Sequence, residues 1–465
     1  MNTQKTEKDS AMMRNQITEG VIWQQLLLFF FPILFGTFFQ QLYNTVDAVI
    51  VGQFVGKEAL AAVGGTTGTL INLFVGFFIG LSSGATVTIS QYYGAKRPAQ
   101  VSLAVHTAIA FSLTLGGFMM VIGIFGAPFA LRAMGTPEAI MKHALSYIRI
   151  YFIGIIGNLI YNMGSGILRA VGDSKRPLYF LIAGCITNIL LDMLFVIHLD
   201  MGVIGAAVAT IISQAVSAIL VVLTLIRTTE SYKLVFSKLR MDISMVKRIV
   251  QVGFPAGLQS VMYNSSNIII QSSVNLLGTD TIAAWTAYGK IDSVYWMIIN
   301  AFGISITTFV GQNYGANKPE RVKRGIRVCL AISAGATLAL SVLLYFAGYY
   351  IFCLFTNDAA VLDKGMEILR FLVPTFITYV AIEIYSGSLR GIGDCWIPMI
   401  LTCLGVCALR VVWILTAVPL HRTIKMIIFS YPLTWSVTTI LFFIYFHFFS
   451  RLGRRSLHRG HIHDA

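Results

Sequence analysis

Apolar residues fill the chain in long runs broken by short polar stretches, at roughly 22–48, 58–90, 99–126, 138–167, 177–198 and 203–226. A second set follows at roughly 244–273, 281–312, 324–355, 361–389, 397–418 and 425–449. Each run is long enough to span a bilayer as a helix, which needs about 20 residues. The runs do not alternate apolar with polar positions, so strands of a membrane barrel are disfavoured. The pattern predicts an all-α polytopic membrane protein of twelve helices in two six-helix sets. The longest polar stretch between the sets, 227–243, reads as a linker. The expected organisation is an N-terminal segment 1–21, a first lobe 22–226, the linker, a second lobe 244–450 and a basic tail 451–465.

Composition agrees. Hydrophobic residues make up 56 % of the 465 and charged residues 12 %, about half the charged share of a soluble domain. A water-soluble enzyme lacks such an apolar surface, and a disordered chain lacks such hydrophobicity. The net charge of +14 invites a nucleic-acid reading, but the charges fall where a membrane protein puts them. With the N-terminus inside, 24 of the 34 Lys and Arg lie on inner segments and 5 on outer ones. That split places both termini in the cytoplasm by the positive-inside rule and assigns the chain to the cytoplasmic membrane. The six cysteines form no CxxC pair and read as small buried hydrophobes. The first apolar run lacks a small-residue cleavage site and reads as a retained span. His458, His461 and His463 lie in the basic tail and read as solvated. No GxxxxGK[ST] segment is present, so no ATPase engine is expected. Gly80-Leu81-Ser82-Ser83-Gly84 fits GxSxG, yet no strand precedes it, and close helix packing explains it better.

The chain also repeats itself. Gln91-Tyr92-Tyr93-Gly94-Ala95-Lys96-Arg97-Pro98 recurs as Gln312-Asn313-Tyr314-Gly315-Ala316-Asn317-Lys318-Pro319. Ser165-Gly166-Ile167-Leu168-Arg169-Ala170-Val171-Gly172-Asp173 recurs as Ser386-Gly387-Ser388-Leu389-Arg390-Gly391-Ile392-Gly393-Asp394. Both pairs share one offset of 221 residues, kept by Pro177 and Pro398, while Phe31-Pro32 and Phe254-Pro255 match at 223. Six spans per half is an even number, so the repeats are parallel, as in two-lobe transporters with a cavity between the lobes. The repeated Gly and Pro are expected to end helices at tight turns, and Asp173 and Asp394 to cap the helices that follow.

With Gln40-Gln41-Leu42-Tyr43-Asn44-Thr45-Val46-Asp47-Ala48-Val49-Ile50-Val51-Gly52 after Pro32, these doubled segments resemble the multidrug and toxic compound extrusion (MATE) family. The resemblance covers about residues 22 to 450. It implies a twelve-helix, two-lobe secondary transporter that exports amphipathic, often cationic, drug-like molecules against inward H⁺ or Na⁺ flow by rocking of the lobes. A monomer embedded in the bilayer, without nucleic acid or resident cofactor, is the expected state.

Acids inside spans are costly, about 2.5–3.5 kcal/mol on insertion scales, so each asks for a reason. Asp192 interrupts the apolar run Ile186–Ile197, and Asn188, four residues earlier, shares its helix face. Counted in from Pro177, Asp192 lies about 22 Å along its span, and Thr210 reaches a matching depth on the returning span. Asp47 sits nearer the outer end of span one. Resemblance to the archaeal and DinF-like branch implies one ion site made of Asp47, Asn188, Asp192 and Thr210. A carboxyl group withdrawn from water holds its proton more firmly, which permits proton binding near neutral pH; Na⁺ would use the same oxygens. The plainer reading of Asp192 is a hydrogen bond to a neighbouring helix. Pro32 removes a helix hydrogen bond and should bend span one. Phe35, Phe39, Tyr43 and Tyr161, with the i, i+4 pair Asn158 and Asn162, are cavity-lining candidates, although plain packing also accounts for them. In the second lobe the seventh span carries Asn264 and Asn267 but no acid. That leaves Glu383 as a possible second site, with Lys290 and Asp292 flanking a possible bend in span eight. The alternative within the same superfamily is a lipid-linked saccharide or lipid flippase, which predicts a more cationic central cavity; the in-span cations are few, Lys142, Arg149, Lys290, Arg370 and Arg410. An intramembrane enzyme would need a nucleophile–base or metal cluster, and no such motif is seen.

Overall fold

The computed structural model describes residues 16–356, 358–450 and 452; the three tail histidines lie outside them. No strand occurs among the described residues. In a membrane every backbone N–H and C=O must be satisfied within the segment, which long helices achieve. A short helix α1 (Gln16–Glu19) precedes α2 (Ile22–Ile50), which ends in a π turn, Val51–Val55. Then come α3 (Lys57–Gly64), α4 (Thr66–Gly94), α5 (Pro98–Ala133), α6 (Glu138–Ile153), α7 (Ile155–Ala170), α8 (Lys175–Asp192) with a second π turn Met193–His198, and α9 (Gly202–Arg227). The second half holds α10 (Ile243–Asn275), α11 (Thr279–Gly315), α12 (Pro319–Cys353), α13 (Ala359–Leu372), α14 (Ile377–Ile392), α15 (Trp396–Thr402), α16 (Leu409–Thr416) and α17 (Ile424–Ile444).

Ten of these stretches are long and apolar enough to cross a membrane. The pair α6–α7, bent by 49°, supplies an eleventh. The twelfth predicted span is α10, whose 33 residues reach about 50 Å but include Lys247, Arg248, Gln259, Asn264, Asn267 and Gln271. The expected fourth span is thus two helices. At their break a Cβ on Gly154 would lie 2.3 Å from Ile211, so only glycine lets α9 pass this close. Lys290 and Asp292 lie within α11, which runs as one helix through both.

The duplication is visible in the backbone. Lys96 and Asn317 both adopt a left-handed φ of 55°, and the same turn bond forms in each half, Arg97 N to Tyr92 O at 3.0 Å and Lys318 N to Asn313 O at 2.9 Å. Gly172 and Gly393 both have positive φ, and the amides of Asp173 and Asp394 donate to Leu168 O and Leu389 O at 2.9 Å each. The two aspartates then diverge. Asp173 accepts from the Lys175 and Arg176 amides and pairs with the Arg176 guanidinium, as an N-terminal cap does. Asp394 instead accepts from the Tyr445 hydroxyl at 2.6 Å.

The chain divides into two compact units, one spanning Phe31–Gly257 and the other holding the described residues up to Phe30 and from Leu258 on. Two helices with an internal proline, α2 at Pro32 and α10 at Pro255, pass from one unit to the other within two residues of the proline. In the Phe31–Gly257 unit, α4 and α10 touch backbone to backbone. A Cβ on Gly84 would lie 2.1 Å from Ile249 O, and one on Gly80 2.3 Å from Gly257 N. The GxSxG glycines are therefore a packing seam, as small residues at membrane helix contacts allow. In the other unit α11 and α14 meet through Gly303, Gly387 and Gly391, and Thr307 Oγ1 donates to Gly387 O at 3.0 Å. Phe30 stacks on Phe302 at 4.1 Å.

Candidate cation-binding site

Asp47 lies on the last full turn of α2 and Asp192 on the last residue of α8, each just before a π turn. Such one-residue insertions in a helix recur at functional sites. Asp192 and Asn188 are fully buried, Asp47 is 7 % exposed and Thr210 4 %. Asp47 and Asp192 are near enough for their charges to act on one another. Asp47 Oδ1, both Asp192 oxygens and both polar atoms of the Asn188 amide have no hydrogen-bond partner among the described residues. No Lys or Arg forms an ion pair with either acid there. Thr210 Oγ1 donates to Ala206 O at 2.9 Å and also contacts the Tyr147 hydroxyl, which is near enough to Asp47 to feel its charge.

Apolar side chains close around this group. Ile50, Val51, Ala59, Tyr147, Val196, Val203, Ala206 and Ala207 form one buried cluster from α2, α3, α6, α9 and both π turns. The helices are held at close range. A Cβ on Gly184 would lie 2.4 Å from Ser217 Oγ, which donates to Phe180 O at 3.0 Å and so ties α9 to α8. A buried polar group normally finds a partner, and leaving it without one costs about 1–3 kcal/mol, more for a charge. Two acids and an amide left so, without a counter-ion, are a set of oxygens suited to a proton or a small cation.

Of the other candidates, Tyr43 is four residues from Asp47 and on its helix face, with Phe39 nearby. Phe35 is 50 % exposed and lies about a third of a turn away, so the structure does not bring it to the acids. Pro32 lies within a continuous α2. On α7, Asn162 Nδ2 donates to Asn158 O at 2.9 Å and to Asn158 Oδ1 at 3.0 Å, and Tyr161 donates to Pro177 O at 3.2 Å. The two asparagines thus bond within α7, and Tyr161 ties α7 to α8.

The second half is arranged differently. Glu383 Oε1 lies 3.2 Å from Arg390 Nη2, about two turns further along α14, and Tyr379 donates to Oε2 at 3.4 Å. Asp292 accepts from Trp296 Nε1 at 2.8 Å and from the Tyr288 hydroxyl at 3.2 Å. Arg410, 2 % exposed, sits 4.0 Å over the Tyr431 ring and donates to Thr434 Oγ1 at 3.2 Å. Lys290 is exposed. Glu383 thus has a resident cation, whereas the first half's acids have none among the described residues.

Residues 32–194 and 255–416 each match the model of one family, MatE, once in each half. The chain belongs to the MatE family. Relatives include the probable multidrug resistance protein YoeA of Bacillus subtilis, 28 % identical over 92 % of this chain and 94 % of that protein. The FAD transporter of Shewanella oneidensis is 25 % identical over 75 % and 78 % of the two chains. A solved outward-facing MATE family transporter of the MOP superfamily aligns with a TM-score of 0.85 at 23 % identity, over 92 % of this chain and 96 % of that one. It supports the same twelve-helix, two-lobe fold.

Three features of this MatE chain escaped the sequence reading. Tyr147 could not be singled out, because α6 carries several aromatics at helical spacing. The π turns add a residue without altering the apolar pattern. The Glu383–Arg390 pair did leave a signal, an i, i+7 spacing within one span.

Proposed function

We propose that this MatE chain is a secondary exporter of amphipathic, cationic small molecules that exchanges them for H⁺ or Na⁺ bound at Asp47, Asp192, Asn188 and Thr210. The observation that carries the reading is the buried acid pair with no cation paired to it among the described residues. Ion and cargo bias one alternating-access equilibrium in opposite directions, so binding of the ion favours release of the cargo. The relatives named as multidrug resistance proteins support small-molecule efflux, and a transporter family supports transport over catalysis. The charge split supports both termini in the cytoplasm, which a reporter fused after Ala465 checks, and the working unit is taken as a monomer.

The test is uptake or release of a cationic dye by proteoliposomes, with the H⁺ and Na⁺ gradients imposed separately. One gradient should drive transport, and Asp192→Asn should abolish that drive while the protein still inserts. Transport by Asp192→Asn equal to the parent at equal protein would overturn the assignment.

A further inference from the structure

The two halves differ at one end of the third helix of each repeat. In the first half that face is covered by the connector that follows α9. The Val235 amide donates to His106 Nε2 at 3.1 Å, the Asp242 amide to Thr107 Oγ1 at 3.4 Å, and Leu103, Leu234 and Leu239 pack in one cluster. By the 221-residue offset, Leu103, His106, Thr107 and Ala110 correspond to Arg324, Arg327, Val328 and Ala331 on α12. These four border an open cleft.

Arg324 and Arg327 are exposed and make no hydrogen bond or ion pair among the described residues. Their neighbours are engaged: Lys318 Nζ donates to Thr18 O at 2.9 Å, Arg321 Nη2 to Ile17 O at 3.1 Å, and Lys323 pairs with Glu320 at 3.7 Å. Residues three apart share a helix face. The same stripe continues through exposed Ala331, Gly335, Leu338, Val342 and Phe346. At 1.5 Å per residue, the stretch from Arg327 to Leu338 is about 16 Å, the depth of one leaflet of a hydrocarbon core about 30 Å thick.

We propose that α12 holds one anionic phospholipid, its phosphodiester between Arg324 and Arg327 and an acyl chain along Ala331 to Leu338. Guanidinium groups suit phosphate by paired hydrogen bonds, and basic sites at this level of membrane helices bind acidic headgroups. The chain's own ends do not complement the pair. Residues 1–15 carry Lys5, Lys8 and Arg14 against Glu7 and Asp9, and residues 451–465 carry four arginines against Asp464. The proposal is independent of the transport reading, because lipid binding is measured without a gradient.

The test is native mass spectrometry of the full chain in detergent, delipidated and titrated with dioleoylphosphatidylglycerol or dioleoylphosphatidylcholine. The phosphatidylglycerol should bind one to one and more tightly than the phosphatidylcholine. At about 1 kcal/mol per basic residue, R324Q/R327Q should weaken it roughly thirtyfold and each single variant roughly fivefold. R324K/R327K should keep most of the affinity, K238Q/R240Q should keep all of it, and so should removal of residues 453–465. Equal binding of the two lipids, or equal loss in R324Q/R327Q and K238Q/R240Q, would overturn the site. A rise in affinity on removing the tail would make the tail the occupant and overturn it too.

Discussion

Asp192→Asn and Glu383→Gln remove the same charge from two buried places, and the structure predicts opposite effects on stability. Asp192 makes no hydrogen bond through either oxygen among the described residues, so the isosteric amide loses no bond and removes an unpaired acid from an apolar site. The folded state should be at least as stable as the parent. Glu383 is paired at 3.2 Å with Arg390, and their side chains are only 12 % and 21 % exposed. Breaking a buried pair costs about 3–5 kcal/mol, chiefly by stranding the remaining charge; the partial exposure of Arg390 puts the expected loss near the lower bound, about 3 kcal/mol. Replacing both partners, Glu383→Gln with Arg390→Met, removes the stranded charge and should recover most of that loss, to within about 1 kcal/mol of the parent. Unfolding of the purified chain by sodium dodecyl sulfate in mixed micelles ranks the four proteins. If Asp192→Asn unfolds as early as Glu383→Gln, Asp192 has a partner and the idea of an unoccupied acid site fails.

Other variants probe the packing that sets the sites. Gly84→Ala puts a methyl 2.1 Å from Ile249 O, a backbone atom that cannot swing aside, and should cost about 2 kcal/mol or more in the same unfolding assay. Gly303→Ala meets Glu383 Oε1 at 2.1 Å, the end of a flexible side chain, so it should cost less and lose most of its effect in a Glu383→Gln background. Asp242 is held below the usual carboxylate range by the Ser244 hydroxyl and the Met245 amide. A depressed value means that its contribution is present at neutral pH and lost as pH falls through that value. Hydrogen exchange at the first amides of α10 should accelerate in Asp242→Ala at neutral pH, and in the parent only at strongly acid pH.

How far the sequence carried the fold depended on period and length. Twelve apolar runs gave the helices, and a shared offset gave the two halves, because a membrane leaves the backbone few alternatives. The polar interruptions Asn188, Asp192 and Thr210 were legible for the same reason: each is costly in an apolar run and so stands out. What stayed hidden was set by contacts across the chain. The close approach of Ile211 to Gly154, at the break between α6 and α7, joins positions 57 apart, and sequence spacing holds no trace of it. Gly80 and Gly84 announce close packing but do not name Gly257 and Ile249 as the partners. Arg410 reads as a stray charge in span eleven until Tyr431 and Thr434 come beside it.

The two halves kept their turns and exchanged their chemistry. Lys96 and Asn317 share one backbone conformation, as do Gly172 and Gly393, so the ends of the equivalent helices are preserved. By the same offsets, Asp192 corresponds to Trp413, whose indole donates to Met426 O at 2.8 Å, Asp47 to Ile270, and Glu383 to Asn162. Neither half reproduces the other's acids. An acid pair with no counter-ion among the described residues raises the energy of its own unit until something positive arrives, whereas Glu383 already carries its cation on the same helix. An exchanged ion therefore has more to gain in the first half than in the second. Neutralising Glu383 together with Arg390 should leave the ion dependence of transport in place, and neutralising Asp192 should remove it. A coupled exporter that lost its ion dependence only in the Glu383→Gln, Arg390→Met protein would reverse that assignment of roles.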